Sequence, residues 1–169
     1  MYEQGSLIMY GSTGVCRVED VAPMNGSRGA DRNRLYYKLV PVYGSGTIYV
    51  PVDTKLFMRP ILSYDEALSL IRRIPAIREL EDENSKDWHA LTAAYRERIH
   101  SHDCEELVSL IKAVYFKMHA AAEGSKRPHK ADQEFKKRAE ELLHSELAAA
   151  LGIAPEEVPD FIAAELDKS

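Results

Sequence analysis

The sequence predicts a segregated α+β protein in which a small five-stranded β-barrel precedes an all-α helical bundle. Apolar residues alternate with period 2 before Ser63 and recur with period 3.6 after it, and the period does not switch back. Pro60 discourages an earlier helix start, and Ser63 with Glu66 has the spacing of a capping box. We therefore expect two modules, residues 1–62 and 63–169.

Five segments of the N-terminal module have the composition of short β-strands. Residues 35–43, which are dense in aromatic and β-branched residues, give the strongest strand signal. The segments are residues 7–10, 15–21, 35–43, 47–52 and 54–59. The Gly- and Asn-rich residues 23–33 are expected to form an exposed hairpin tip. Five strongly bent strands in about 55 residues indicate a Tudor or SH3-like barrel.

Pro51 gives the fourth segment a special position in this barrel. Proline has no amide hydrogen to donate to a ladder, so the strand is expected at an edge or to end there. An unpaired edge invites strand addition by another protein, a recognition mode that needs no catalytic group. Two alternatives remain open: an edge merely blunted by Pro51, and a homodimer formed by strand exchange.

The C-terminal module is predicted to contain about five helices joined by short loops. The first begins at Ser63 and ends or kinks at Pro75. The second opens around Trp88 and ends near Ser101, and Asp103 with Glu106 suggests a capping box for the third. The third and fourth helices are expected to end at Gly124 and Gly152, and the last to follow Pro155.

Composition and motifs exclude several classes of protein. No apolar run approaches the roughly 20 residues of a bilayer span, and no basic and apolar leader is present, so a cytoplasmic protein is expected. Cys16 and Cys104 lie far apart and are expected to be reduced thiols. The sequence lacks phosphate-cradle, zinc-protease and nucleophile-elbow motifs, and only His100 and His102 are close together. We expect no enzyme, no metal site and no cofactor.

Charge is distributed unevenly along the chain, whose net charge is -5. Residues 112–138 hold eight basic residues against three acidic ones, a local +5. Such a segment can meet phosphates even when the whole protein is acidic, because the Debye length is only about 8 Å. A solvated helix face is the alternative.

Trp88, the only tryptophan, lies in the first turn of its predicted helix. A tryptophan at such a position usually belongs to the core. The functional alternative is an exposed indole that wedges against a base step, with nearby positive charge on the phosphates.

Several short motifs, taken in order, resemble the CarD/CdnL family of bacterial transcription regulators. They lie within residues 5–150: Gly5-Ser6-Leu7-Ile8-Met9-Tyr10, Gly14-Val15-Cys16-Arg17-Val18, Thr47-Ile48-Tyr49-Val50-Pro51, Asp87-Trp88, and Arg138-Ala139-Glu140-Glu141-Leu142-Leu143-His144-Ser145-Glu146-Leu147-Ala148. The resemblance implies a Tudor-like module that binds the RNA polymerase β subunit. It also implies a helical module that contacts promoter DNA at the upstream edge of the transcription bubble, with Trp88 in the minor groove.

The resemblance and the charge pattern together indicate which residues bind polymerase and which bind DNA. The polymerase contact is assigned to Tyr49, Val50 and Pro51. The largely sequence-independent DNA contact is assigned to Lys86, Trp88, His89, Arg96, Arg98, Lys136, Lys137 and Arg138. Some family members carry an arginine where this chain has Tyr49, and basic residues after the tryptophan where it has His89 to Ala93. A more apolar polymerase contact and weak DNA binding by the isolated protein are therefore expected.

The function expected from these observations is that of a non-catalytic transcription regulator which modulates open-complex stability. The alternative is a protein-binding adaptor that uses the edge strand of the barrel and has no DNA role.

Overall fold

The computed structural model describes residues 1–11, 13–23, 34–81, 87–122, 124 and 130–168. The chain forms two compact units, Met1–Leu62 and Ser63–Ser169. The first contains strands and the second contains helices, so the predicted α+β class is confirmed.

The described residues of the first unit form a five-stranded antiparallel sheet with the order β4-β3-β2-β1-β5. Its strands are β1 (Leu7–Tyr10), β2 (Gly14–Pro23), β3 (Leu35–Pro41), β4 (Ile48–Pro51) and β5 (Met58–Pro60). Within the described residues β4 and β5 are therefore its two edges. The predicted hairpin tip lies almost entirely outside the described residues.

The last strand is shorter than predicted. Val52 and Asp53 form a turn, closed by the Thr54 amide, which donates to the Pro51 carbonyl at 3.0 Å. Residues 54–57 are irregular, and the Leu56 amide donates to Thr54 Oγ1 at 3.1 Å. Because these amides are used locally, ladder pairing with β1 begins only at Met58, which faces Tyr10.

Side chains from four strands form the core of the sheet unit. The fully or almost fully buried members are Ile8, Cys16, Val18, Tyr37, Leu39 and Val50. The register of β2 against β3 shifts between Val18 and Asp20, and such a bulge increases the local twist. The Tyr37 hydroxyl also accepts a hydrogen bond from the Tyr2 amide at 2.9 Å, which ties the N-terminal segment to the core.

The described residues of the second unit form five α-helices and two short 3-10 turns. The helices are α1 (Tyr64–Arg73), α2 (Trp88–His100), α3 (Cys104–Ala122), α4 (Lys130–Leu151) and α5 (Val158–Asp167). The 3-10 turns are Ile74–Ala76, which contains Pro75, and Pro155–Glu157. α3 packs on α4, α2 packs on both of them, and α1 packs on α4 and α5.

Most predicted helix ends are confirmed by their capping contacts. Ser63 Oγ accepts from the Glu66 amide at 3.1 Å, and the Glu66 carboxylate accepts from the Ser63 amide at 3.0 Å. Gly124 and Gly152 adopt φ of 103° and 72° just beyond α3 and α4, in the left-handed region that glycine tolerates.

The start of α3 differs from the prediction. Asp103 caps the helix by accepting from the Glu105 amide at 2.9 Å, as an N-cap side chain does. However, the Asp103 amide donates to Ser101 Oγ at 3.2 Å, and the Glu106 carboxylate pairs with Arg98. The predicted reciprocal capping box is therefore replaced by contacts to the end of α2.

Cys16 and Cys104 are both buried thiols, and the Cys104 thiol donates to Glu146 Oε1 at 3.2 Å. Within the described residues, no helix is both long and apolar enough to cross a bilayer.

Candidate protein and nucleic-acid interfaces

The outer edge of β4 presents backbone groups at Tyr49. The Val52 amide donates to the Leu35 carbonyl at 3.1 Å, one step beyond the register pair Tyr36–Pro51. In an antiparallel ladder, hydrogen-bonded and non-hydrogen-bonded pairs alternate. Tyr49 therefore belongs to a non-bonded pair, and its N–H and C=O point away from β3. A partner strand can pair with these two groups.

The three residues assigned to the polymerase contact occupy different environments. Tyr49 is 52% exposed, whereas Val50 is 3% exposed and belongs to the core. Pro51 is partly buried, and its carbonyl accepts the Thr54 amide. The Val50 side chain therefore packs in the sheet core, and a contact of Val50 with polymerase would have to be made by its backbone. Tyr49 is the member whose side chain and backbone both face outwards.

Two residues of β3 extend this surface and were missed from the sequence. Lys38 lies opposite Tyr49, and Tyr36 lies opposite Pro51. Side chains directly opposite each other across an antiparallel pair share one face of the sheet. The alternation along β3 would have identified both residues. Because Tyr37 and Leu39 are buried, Tyr36 and Lys38 must face the opposite side of the sheet.

In the helical unit, Trp88 is neither an exposed wedge nor a core residue. It is partly buried at the first position of α2. Its spacing from Leu91 and Tyr95, which are buried, places all three on one face of the helix. The Trp88 carbonyl accepts a hydrogen bond from Thr92 Oγ1 at 2.8 Å. The indole thus lies at the rim of the packed face, at the N-terminal end of the helix.

A second stripe of α2 faces solvent. His89, Ala93, Arg96 and His100 are all exposed, and their i, i+4, i+7, i+11 spacing aligns them along the helix. Arg96 has no ion-pair partner among the described residues. His89 and Arg96 were predicted as DNA contacts, and the stripe adds His100. The sequence analysis considered His100 only together with His102, as a possible pair of metal ligands, and predicted no metal site there.

Arg98 is not part of that stripe. Its guanidinium forms an ion pair with the carboxylate of Glu106 on α3, and both side chains are partly buried. Arg98, which was predicted to contact DNA, would therefore have to leave Glu106 before it could bind a phosphate. Lys86, another predicted DNA contact, lies outside the described residues.

The three basic residues predicted on α4 also differ from one another. Lys136 forms an i, i+4 ion pair with Glu140, and Arg138 lies 3.6 Å from Glu141. Lys137 is exposed and, within the part of the chain that is described, has no ion-pair partner. Of the three, Lys137 is the residue that can meet a phosphate without first leaving an anion.

Two further cations of the basic segment have structural roles. Lys112 Nζ donates to the carbonyls of Ile74 and Ile77 at 2.9 and 2.5 Å, which caps the carbonyl end of the 3-10 turn. Lys117 Nζ lies 3.4 Å from the buried carboxylate of Asp132. Among the described basic residues of this segment, Lys117, Lys136 and Arg138 pair with carboxylates, whereas Lys130 and Lys137 have no ion-pair partner in the described part of the chain. The local +5 is therefore compensated only in part by intramolecular contacts.

The second half of α3 exposes apolar side chains that the sequence analysis did not single out. Tyr115, Phe116 and Met118 are 49%, 47% and 42% exposed. Tyr115 packs on Phe116 and His119, with ring centroids 5.8 and 4.3 Å apart. The first half of α3 is also apolar but is buried on most sides. The composition of the helix therefore did not indicate that apolar side chains become exposed in its second half.

Titratable groups in the described residues show no catalytic arrangement. Burial raises the pKa of the Cys16 thiol, which keeps it protonated and unreactive. Burial also lowers the pKa of His144, although the nearby Glu140 carboxylate opposes this effect. Among the described residues, no three metal-binding side chains cluster.

Comparison with known families decides the nature of the first unit. A family model described as the CarD-like/TRCF RID domain matches residues 2–62. The N-terminal module is a CarD-like/TRCF RID domain. The predicted resemblance to a CarD-like family is thereby confirmed for this part of the chain.

The RID domain ends where the first compact unit ends, at Leu62. The match supports a transcription-related protein that interacts with RNA polymerase. The helical module is not covered by the match. A search of curated proteins found no match to the chain.

Within the RID domain, four large apolar or aromatic side chains lie at the surface. Tyr43, Tyr49, Leu56 and Phe57 are each at least 40% exposed. Of these, Tyr49 lies in a strand with an unpaired backbone edge, so it combines an apolar side chain with strand-pairing groups.

Proposed function

We propose that this chain is a non-catalytic transcription regulator which binds the RNA polymerase β subunit through β4 of its RID domain. The proposal rests on the family match together with the outward N–H and C=O of Tyr49. Strand addition at such an edge supplies main-chain hydrogen bonds, and the Tyr49 and Tyr36 side chains supply an apolar surface beside them. The same edge could also pair two copies of the chain by strand exchange, which sedimentation of the free protein would detect.

The second part of the proposal is a contact between α2 and promoter DNA at the upstream edge of the bubble. Trp88 at the helix N-terminus would enter the minor groove, while His89, Arg96 and Lys137 would meet phosphates. Few cations are available for this contact, so binding by the isolated protein should be weak. Tethering by polymerase can raise the local concentration into the mM range, which makes a weak contact sufficient.

The proposal is tested by adding the full chain to purified polymerase and a promoter fragment. We expect the chain to co-purify with polymerase, and to alter the upstream footprint and open-complex lifetime only when polymerase is present. Failure to bind polymerase would overturn the first part. Binding without any change in footprint or lifetime would overturn the second.

A protein-binding adaptor without a DNA role is the second candidate function. It is favoured by the ion pairs of Arg98 with Glu106 and of Lys136 with Glu140, which occupy two of the cations assigned to the DNA contact. The same footprinting experiment separates the two candidates, because an adaptor would bind polymerase and leave the DNA pattern unchanged.

A further inference from the structure

Three polar residues form a largely buried cluster between α2, α3 and α4. Tyr95 and Asp132 are 0% and 1% exposed, and the Tyr95 hydroxyl donates to Asp132 Oδ1 at 2.6 Å. Lys117 Nζ lies 3.3 Å from the Tyr95 hydroxyl and 3.4 Å from Asp132 Oδ1. We call Tyr95, Lys117 and Asp132 the Tyr95 cluster.

The geometry of the Tyr95 cluster indicates strong attachment of α2 to α4. An O–H donor to a carboxylate makes a short, charge-assisted bond, about twice as strong as a neutral one. The Lys117 ammonium balances the buried charge of Asp132 and lies 5.8 Å from the Tyr95 ring centroid. The ring of Phe135 packs on Tyr95 with centroids 5.2 Å apart. Ring and hydroxyl of Tyr95 are therefore both held by α4.

Besides the Tyr95 cluster, α2 is attached through the ion pair of Arg98 with Glu106 on α3 and through a small buried face. α2 buries two of its 13 residues, Leu91 and Tyr95, whereas α3 and α4 bury seven and eight. Since apolar burial contributes roughly in proportion to area, α2 gains less docking energy than its neighbours. The hydrogen bond of Tyr95 is consequently a large share of what holds α2 in place.

We propose that the Tyr95 cluster is the positioning device for Trp88. Tyr95 lies two helical turns from Trp88 on the same face, with Leu91 between them. A rotation or partial release of α2 therefore displaces the indole directly. Asp132 and Lys117 act through Tyr95 and are positioning residues, not DNA contacts. This inference rests on the proposed role of Trp88 in contacting promoter DNA.

The variant that isolates the cluster is Tyr95→Phe. It removes the hydroxyl, keeps the ring on Phe135, and leaves Asp132 beside Lys117, so that no unpaired buried charge is created. The matched control is Glu165→Gln, which weakens contacts between α5 and Arg72 of α1 in the same unit. Thermal melts of the full chain establish how much each variant destabilises the unit.

The first measurement is amide hydrogen exchange of the full chain, together with acrylamide quenching of the single tryptophan. A hydrogen bond to a charged group can shift a local opening equilibrium by roughly tenfold or more. We expect Tyr95→Phe to accelerate exchange in α2 by about tenfold and to increase quenching of Trp88. Glu165→Gln should do neither. Equal effects of the two variants on α2, or none, would overturn the proposal.

The second measurement is open-complex lifetime with polymerase and promoter. We expect Tyr95→Phe to shorten the lifetime in the same direction as Trp88→Ala, and Glu165→Gln to leave it unchanged when the protein is fully folded. If Trp88→Ala shortens the lifetime and Tyr95→Phe does not, the positioning role is wrong while the proposed function stands. If Trp88→Ala itself has no effect, the proposed DNA contact fails, and the positioning role fails with it.

A second variant covers the case in which Tyr95→Phe is too unstable to assay. Asp132→Asn keeps an oxygen that can accept from the Tyr95 hydroxyl, removes the buried charge, and leaves the Lys117 side chain, which is 30% exposed, accessible to water. Its effect on exchange in α2 should have the same direction and be smaller. Unchanged exchange in this variant would overturn the proposal in that case.

Discussion

Arg98 on α2 forms an ion pair with Glu106 on α3, while Arg96, two residues earlier, is exposed and lacks such a partner in the described part of the chain. Residues two apart on a helix point in different directions, so one arginine joins two helices and the other faces solvent. The two residues therefore make a matched pair for separating a structural charge from a binding charge.

We expect Arg96→Ala to weaken the DNA contact of the polymerase complex without changing stability. Arg98→Ala should lower the free energy of unfolding by under about 1 kcal/mol, because the pair with Glu106 is partly exposed, and should leave DNA contact unchanged. Promoter-complex lifetimes and thermal melts on both variants test this. The opposite pattern, with Arg98→Ala affecting only DNA contact, would show that the ion pair opens on binding.

Trp88→Ala should reduce stability by less than the roughly 3 to 5 kcal/mol expected for deleting a buried tryptophan, because the indole is only partly buried. Open-complex lifetime should fall by about 5- to 150-fold if stacking on a base step contributes about 1 to 3 kcal/mol. Trp88→Phe should restore part of the lifetime. A large fall in melting temperature, with lifetimes that track only the folded fraction, would make Trp88 a core residue.

Tyr49→Pro should abolish polymerase binding while the sheet remains folded. The Tyr49 amide points away from β3, so proline removes a donor from the outer edge and none from the existing ladder. Tyr49→Ala keeps the amide and should weaken binding less. Pull-downs with polymerase, checked by circular dichroism, measure both effects. Unchanged binding of Tyr49→Pro would move the polymerase contact to another surface.

Val50→Ala is the control for that experiment. Because Val50 is buried in the sheet core, we expect a loss of about 2 kcal/mol in the free energy of unfolding. Polymerase affinity of the folded fraction should not change. A loss of affinity without a loss of stability would contradict the assignment of Val50 to the core.

The carboxylate of Glu165 should make stability depend on pH. Arg72 Nε and Nη2 donate to Glu165 Oε1 at 3.1 and 2.9 Å, and this contact lowers the pKa of Glu165 in the folded protein. The resulting stabilisation is present above the unfolded pKa of about 4.3 and is lost as pH falls through the folded pKa. Glu165→Gln should therefore melt below the wild type at pH 7, and the difference should shrink below about pH 4.

Glu156→Gln is the matched control for that titration, since Glu156 is exposed on the 3-10 turn before α5. It should melt like the wild type at both pH values. If the difference in melting temperature between Glu165→Gln and the wild type does not become smaller at acidic pH, the lost contact is not electrostatic.

Lys137→Glu should flatten the salt dependence of promoter-complex formation by about 1 unit of slope, as expected for one phosphate contact. Lys136→Glu should change the slope less, because Lys136 already pairs with Glu140, and should instead destabilise α4 slightly by placing two like charges at i, i+4. An unchanged slope for Lys137→Glu would show that α4 faces solvent in the complex.

The sequence by itself determined the division into a β module and a helical module, and it located most of the helix ends. These features are local, since capping at Ser63 and the positive φ of Gly124 and Gly152 depend on residues that are close in the chain. The alternation within β3 likewise contained the inward and outward faces of the sheet. The family motifs predicted a CarD-like module, which the match to residues 2–62 confirms.

Only the tertiary structure decided which charged and apolar side chains are available to a partner. Arg98 and Glu106 meet because the end of α2 packs on the start of α3, and Lys117 meets Asp132 across α3 and α4. Counting charges along the chain does not reveal these ion pairs, because the two partners lie on different helices of the bundle. The outward amide of Tyr49 and the partial burial of Trp88 depend in the same way on strand register and helix packing.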